Sequence, residues 1–180
     1  MLQQGIYSLQ GTTKEIEMET QELTTFDFED GNGAVPAHRH VNGGGWVADT
    51  AKVDESAYVG PDANVYDYAK VCGQSEVFGR AKVFGYAKVD DKAQVWGTSR
   101  IYDGAEIYGE SVVFGYAKVF GYAKVYDESV VYDCAEVYDD AKVLDDARIC
   151  GNAKVYGEAK VSGRNRVGDC SIVCGTTILK

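Results

Sequence analysis

The sequence predicts an all-β protein built as a solenoid of very short strands, and three observations carry that prediction. Every third position of a six-residue register, from Val53 to Leu179, is Val, Ile or Leu without a break. The first position of the same hexads, counted from Ala51, is Ala or Ser in 20 of 22 cases. The fifth is Gly or Asp everywhere except at Glu55 and Pro61.

Each position of the hexad has a physical reason. In an extended chain alternate side chains share a face, so an inward Val takes the Ala two residues before it inward as well. A small residue suits the place where the chain corners. One step past the outward aromatic, Gly or Asp suits the bend, because Gly adopts positive φ freely and Asp tolerates it better than most residues. So short a strand buries too little alone, and coils must stack to share one column of Val, Ile and Ala. A helix is excluded by period, since residues six apart would circle its surface.

Ahead of the regular hexads the pattern loosens. Residues 1–32 read as an acidic segment of one or two strands, from the alternation of Ile16, Met18, Phe26 and Phe28 with polar residues, closed by a turn at Asp30-Gly31-Asn32-Gly33. Residues 33–50 read as a cap or irregular first coil: Val35, Val41 and Val47 stay in phase, but their inward partners Gly33, Arg39 and Gly45 are not Ala. The open end of a solenoid needs such cover for its strand edges. Residues 51–180 form the repeat domain.

The hexads AKVDES, AYVGPD, ANVYDY, AKVCGQ and SEVFGR resemble the hexapeptide-repeat proteins, with the resemblance covering residues 51–180. It implies a single-stranded left-handed parallel β-helix, a triangular solenoid with three hexads per coil and about seven coils. The Gly two places after the Val, as in Val77-Phe78-Gly79, departs from many acyltransferase members and is similar in style to hexapeptide-repeat proteins of enteric bacteria and their prophages.

With three hexads per coil, residues eighteen apart stack, and each face reads as columns. One face gathers Trp96, Val112, Phe114, Val130 and Tyr132, an apolar patch expected to join copies into a dimer or trimer. A second carries the aromatic ladder Tyr66, Phe84, Tyr102, Phe120, Tyr138 and Tyr156 beside Lys82, Arg100, Lys118 and Lys154, either a platform for sugars or bases or simple cross-strand stacking. The third stacks Lys52, Lys70, Lys88, Lys124, Lys142 and Lys160, with Glu106 interrupting. Nearby, Glu110, Asp127, Glu128, Asp139, Asp140, Asp145 and Asp146 form an acidic surface, read as a mimic of a phosphate strand or as solvated turn residues. Ile172 and Ile178, outward where polar residues are the rule, offer an end-to-end contact.

Composition and motifs narrow the function. A net charge of -10, from 28 acidic and 18 basic side chains, disfavours direct nucleic-acid binding. Five cysteines with no CxxC pair fit reduced thiols, and the absence of a secretory pattern or a long apolar run points to the cytoplasm of a bacterial host. Hexapeptide acyltransferases use an interface histidine and commonly a loop over acyl-CoA, and the related zinc carbonic anhydrases use three histidines. Only His38 and His40 occur here, and no loop interrupts the hexads. Two apart on a strand, they are weak candidates for a shared metal and otherwise part of the cap. The expectation is a protein without catalytic residues or cofactor. It would be a phage or prophage solenoid that binds and inhibits a host macromolecule, most directly another protein, with no membrane partner. The alternatives are a hexapeptide-type acyltransferase with an interface histidine and a phage structural or glycan-binding component.

Overall fold

The computed structural model describes residues 24–180, and every regular element in it is a strand. Three strands open the chain: β1 (Thr25–Asp27), β2 (Ala34–Arg39) and β3 (Trp46–Ala48). They are followed by β4 to β25, two residues each, recurring every six residues from Lys52–Val53 to Ile178–Leu179. From β4 onward each strand pairs parallel with the third strand after it. Lys70–Val71, for example, lies between Lys52–Val53 and Lys88–Val89. Partners are therefore eighteen residues apart, three hexads close one coil, and three sheets of ten, eight and seven strands form a β-solenoid of about seven turns. No helix among the described residues is long and apolar enough to cross a membrane.

The core is the column that the hexad encodes. Val, Ile and Ala from Ala57 to Val161 are fully buried along the axis. At the four buried positions where Ser replaces Ala, the hydroxyl donates to the carbonyl three residues back: Ser75 to Cys72 (2.6 Å), Ser99 to Trp96 (2.9 Å), Ser111 to Tyr108 (2.8 Å) and Ser129 to Tyr126 (2.7 Å). A buried hydroxyl without a partner would cost free energy, so Ser and Ala interchange only because the corner supplies an acceptor.

Coil is tied to coil through the backbone. In one hexad Lys70 N–H donates to Ala87 O (2.9 Å), Cys72 N–H to Val89 O (2.8 Å) and Gln74 N–H to Asp91 O (2.7 Å), and the pattern repeats along the rod. At every corner from Asp67 to Gly175 the fifth hexad residue has positive φ, between 56° and 77°. That explains why this position accepts Gly or Asp. The aspartates do more than tolerate the bend. Their carboxylates accept the backbone N–H of the corner residue one coil later: Asp67 from Gly85 (3.1 Å), Asp91 from Gly109 (3.1 Å), Asp103 from Gly121 (3.2 Å) and Asp133 from Gly151 (3.0 Å). A corner amide that the parallel ladder leaves over is satisfied in this way.

The N-terminal strands extend one sheet by antiparallel pairing. Phe26 faces Val35 between β1 and β2, and His38 faces Val47 between β2 and β3. β3 then pairs parallel with β6 (Asn64–Val65) and enters the coil. The six-residue phase read back to Val41 and Val35 does not hold. Val47 joins the core, Val41 is 80% exposed, and Val35 packs in a separate outer cluster around Phe28. The chain reverses between Val41 and Gly45, and a hairpin cannot carry a solenoid's phase through it. Gly45 is needed there, because a Cβ would overlap the Val59 side chain and the Gly60 carbonyl oxygen. The alternation at Ile16 and Met18 lies outside the described residues.

Two substitutions measure these contributions. Ile101→Ala should lower unfolding free energy by about 2–5 kcal/mol in a chemical denaturation series, as a fully buried aliphatic side chain is lost. At Asp103, Asn keeps both the acceptor and the bend and should lie within about 0.5 kcal/mol of the parent. Ala forfeits the bond, worth about 0.5–1.5 kcal/mol, and strains the left-handed backbone by about 1–2 kcal/mol. Gly, which loses only the bond, should fall between them.

Candidate interaction surfaces

The second-face ladder forms as a continuous stack. Tyr66, Phe84, Tyr102, Phe120, Tyr138 and Tyr156 follow one another with ring centroids 4.8–5.0 Å apart and interplanar angles of 2–7°. Phe28, delivered by the N-terminal strands, adds a rung above Tyr66 at 4.8 Å, while Phe26 stacks on Trp46 at 4.4 Å. The ladder thus docks the N-terminal segment to the rod. Neighbouring rings cover one another's faces, so solvent meets mostly ring edges, which gives a planar ligand little to stack on. The flanking cations are drawn to carboxylates: Glu136 receives Lys118 (3.0 Å) and Lys154 (3.1 Å), and Lys118, with Lys154 opposite it, holds the Glu136 carboxyl below its ordinary range. Among the described residues the cation–π contact is instead Arg39 over Trp46, at 4.1 Å.

Trp96, Val112, Phe114, Val130 and Tyr132 lie together on another sheet. Val112 and Val130 are register partners, and Trp96, Phe114 and Tyr132 stack at 4.3 and 5.2 Å. All five are half-buried within their own coil.

The acidic residues do not form one strip. Glu110, Asp127, Glu128, Asp145 and Asp146 share a corner, whereas Asp139 and Asp140 lie on the corner that precedes the lysine column, with Lys124 and Lys142 between the two rows. Corners recur three times per coil, so residues twelve apart fall on different edges of the prism. Most of these groups also have internal partners. Asp127, Asp139 and Asp145 accept the backbone N–H groups of Asp145, Gly157 and Gly163, Glu110 pairs with Lys92 (2.9 Å), and Asp146 meets Arg164 at 3.4 Å.

A set of residues that the face-by-face reading passed over also projects into solvent. Tyr68, Tyr86 and Tyr122 project from one corner and Tyr116 from another, with 57–72% of their surface open. Tyr68 stacks on Tyr86 at 5.4 Å, and Tyr122 lies over Gly104, where a Cβ would meet its ring at 2.8 Å. The signal was present in the sixth hexad position, the one that looks most variable.

His38 and His40 have separate partners. His38 Nδ1 lies 2.8 Å from Asp49 Oδ1, and both side chains are about half exposed. His40, past the end of β2, is 6% exposed and turns its Nδ1 to the Asn42 carbonyl at 3.1 Å. Among the described residues no three His, Cys, Asp or Glu side chains converge as a metal site would require. The five cysteines are all free thiols, with Cys150 buried.

Set against family models, curated proteins and solved structures, the chain matches none. Its architecture rests on the coil geometry described above.

Tyr66, the first rung below Phe28, has its hydroxyl pushed up to about 12 by burial, with the Asp67 and Asp30 charges adding to it. In the unfolded chain the same phenol ionises near 10, so its stabilising effect is intact below pH 10 and is lost as pH rises from 10 to about 12. An absorbance titration of tyrosinate should show one group titrating last in the parent and absent in Tyr66→Phe, and the variant should lose less stability across that interval.

Proposed function

We propose that this protein is a non-catalytic interaction rod whose task is to present ordered side chains to another protein. The observation that carries the reading is the row of exposed tyrosines, Tyr68, Tyr86 and Tyr122, held on a rigid corner. Tyrosine supplies a large amphipathic contact with few rotors, which is why it is enriched where proteins bind each other. The rod suits a phage or prophage product that occupies and inhibits a host protein in the bacterial cytoplasm. Mimicry of nucleic acid has less support, because the acidic residues lie on two corners and several carboxylates are bound to their own backbone. With wild type as bait in a bacterial lysate, a specific protein partner should be retained, and Tyr86→Ser/Tyr122→Ser should lose it by at least about tenfold. Equal recovery by the two baits would defeat the reading.

The half-buried face of Trp96, Phe114 and Tyr132 is proposed to join two or three copies. Light scattering should give a dimer or trimer that Phe114→Glu converts to monomer, and a monomer in both cases overturns this assembly.

One observation favours a second reading. Asp49 orients His38 at 2.8 Å, the arrangement that leaves an imidazole's other nitrogen ready to act as a base in acyl transfer. Acetyl-CoA-dependent acylation of an added amine or alcohol, abolished in His38→Ala, would favour that enzyme over the interaction rod.

A further inference from the structure

Between the N-terminal strands and the first regular corner lies a cavity of about 360 Å³, whose lining includes Tyr68 and Asp49 from the two readings above. Phe28, Val35, Ala48 and Tyr66 form its inner wall, and Asp30, Asp49 and Asp67 stand at its rim with no lysine or arginine among the lining residues. Its volume is at the lower end of those that hold small ligands.

Three features define what fits. First, the carboxylates keep acceptor capacity. Asp49 uses one oxygen on His38 and Asp67 one on the Gly85 N–H, so each has a second oxygen without a donor among the described residues. Asp30 is held in place by its bonds to the backbone and side chain of Asn32. Second, Tyr66 is 4% exposed, lines the cavity, and has no hydrogen-bond partner for its hydroxyl among the described residues. That hydroxyl feels the charges of both Asp67 and Asp30, which places it in the field of the rim. Among the described residues no buried side-chain polar atom lacks a partner, so this hydroxyl, which has none there, is reached by solvent from the cavity and can exchange water for a polar group. Third, Tyr68 stacks on Tyr86 on one side while also lining the cavity, an aromatic surface of the kind that favours a cation.

From this geometry we infer that the cavity binds a small aliphatic ammonium ion, a free diamine or short polyamine, with the methylene stem on Phe28, Val35 and Ala48 and the ammonium group among Asp30, Asp67 and the Tyr66 hydroxyl. An anion is repelled by three carboxylates. A neutral alcohol of the same length leaves them without a counter-charge and gains only the apolar contact. The site shares Tyr68 with the tyrosine row proposed above, whereas Tyr86 and Tyr122, the positions substituted to test that reading, are not among its lining residues, so the two can fail separately.

Isothermal titration calorimetry with 1,5-diaminopentane, on the full chain at low ionic strength, tests the inference. The wild type should show saturable one-to-one binding in the range of about 0.1–1 mM, with pentan-1-ol and pentanoate giving no saturable heat. Tyr66→Phe keeps the ring stack and should weaken the diamine about tenfold through loss of one charge-assisted hydrogen bond. Asp30→Asn/Asp67→Asn, which keeps the corner's acceptor for Gly85, should abolish binding while circular dichroism and thermal unfolding confirm the fold. Three results would overturn the site: no saturable binding to wild type up to about 10 mM, undiminished affinity in Tyr66→Phe, or undiminished affinity in the double aspartate variant, which would mark general attraction to an acidic surface.

Discussion

The backbone hydrogen bonds that run from each coil to the next set the position of every outward side chain, because they fix residues eighteen apart in direct register. Parallel strands of two residues have almost no local stability, and the coil exists only when its neighbours supply donors and acceptors along all three sides. The corner must therefore bring the chain round at the same angle nineteen times from Asp67 to Gly175, which it does by holding one residue at positive φ each time. Gly reaches this conformation without strain. Asp reaches it at some cost and in return its carboxylate binds the next coil's corner amide, so the same residue makes the bend and ties the stack.

Chemistry on such a scaffold arises from rows rather than from convergent clusters. Rings stack into ladders, lysines align with glutamates, and outward groups spend much of their capacity on their vertical neighbours, as Glu136 does between Lys118 and Lys154. What remains for a partner is found at corners, where side chains such as Tyr86 and Tyr122 project beyond the sheets, and at the N-terminal end, where β1 to β3 break the repetition and enclose a cavity. The corner tyrosines proposed for interaction and the cavity proposed for a ligand both arise from this one constraint.

The solenoid and the sorting of Val and Ala inward were legible because strand alternation and corner chemistry each recur in one hexad, whereas the eighteen-residue period followed from the resemblance to hexapeptide-repeat proteins. The ladder from Tyr66 to Tyr156 and the patch around Phe114 followed once residues eighteen apart were aligned. Three things were not legible. The backward phase through Val41 failed because a hairpin reverses the chain there, and residue spacing does not reveal direction. The bonds from Asp67 or Asp103 to the next coil require knowing that the corner amide is left over by the ladder, a property of geometry rather than of residue type. The corner tyrosines were hidden in the most variable position of the hexad, where lack of pattern reads as lack of role.

Amide hydrogen exchange at the corners addresses the coil-to-coil ladder most directly, residue by residue. Gly85, Gly121 and Gly151 each follow an Asp corner by one coil and donate to its carboxylate, whereas Gly97 and Gly115 follow a Gly corner and have no such acceptor. In the native protein the first three should exchange at least about tenfold more slowly than the last two, after correction for intrinsic rates. Equal protection in the two groups would contradict the account, since the corner aspartates would then do nothing to bind one coil to the next.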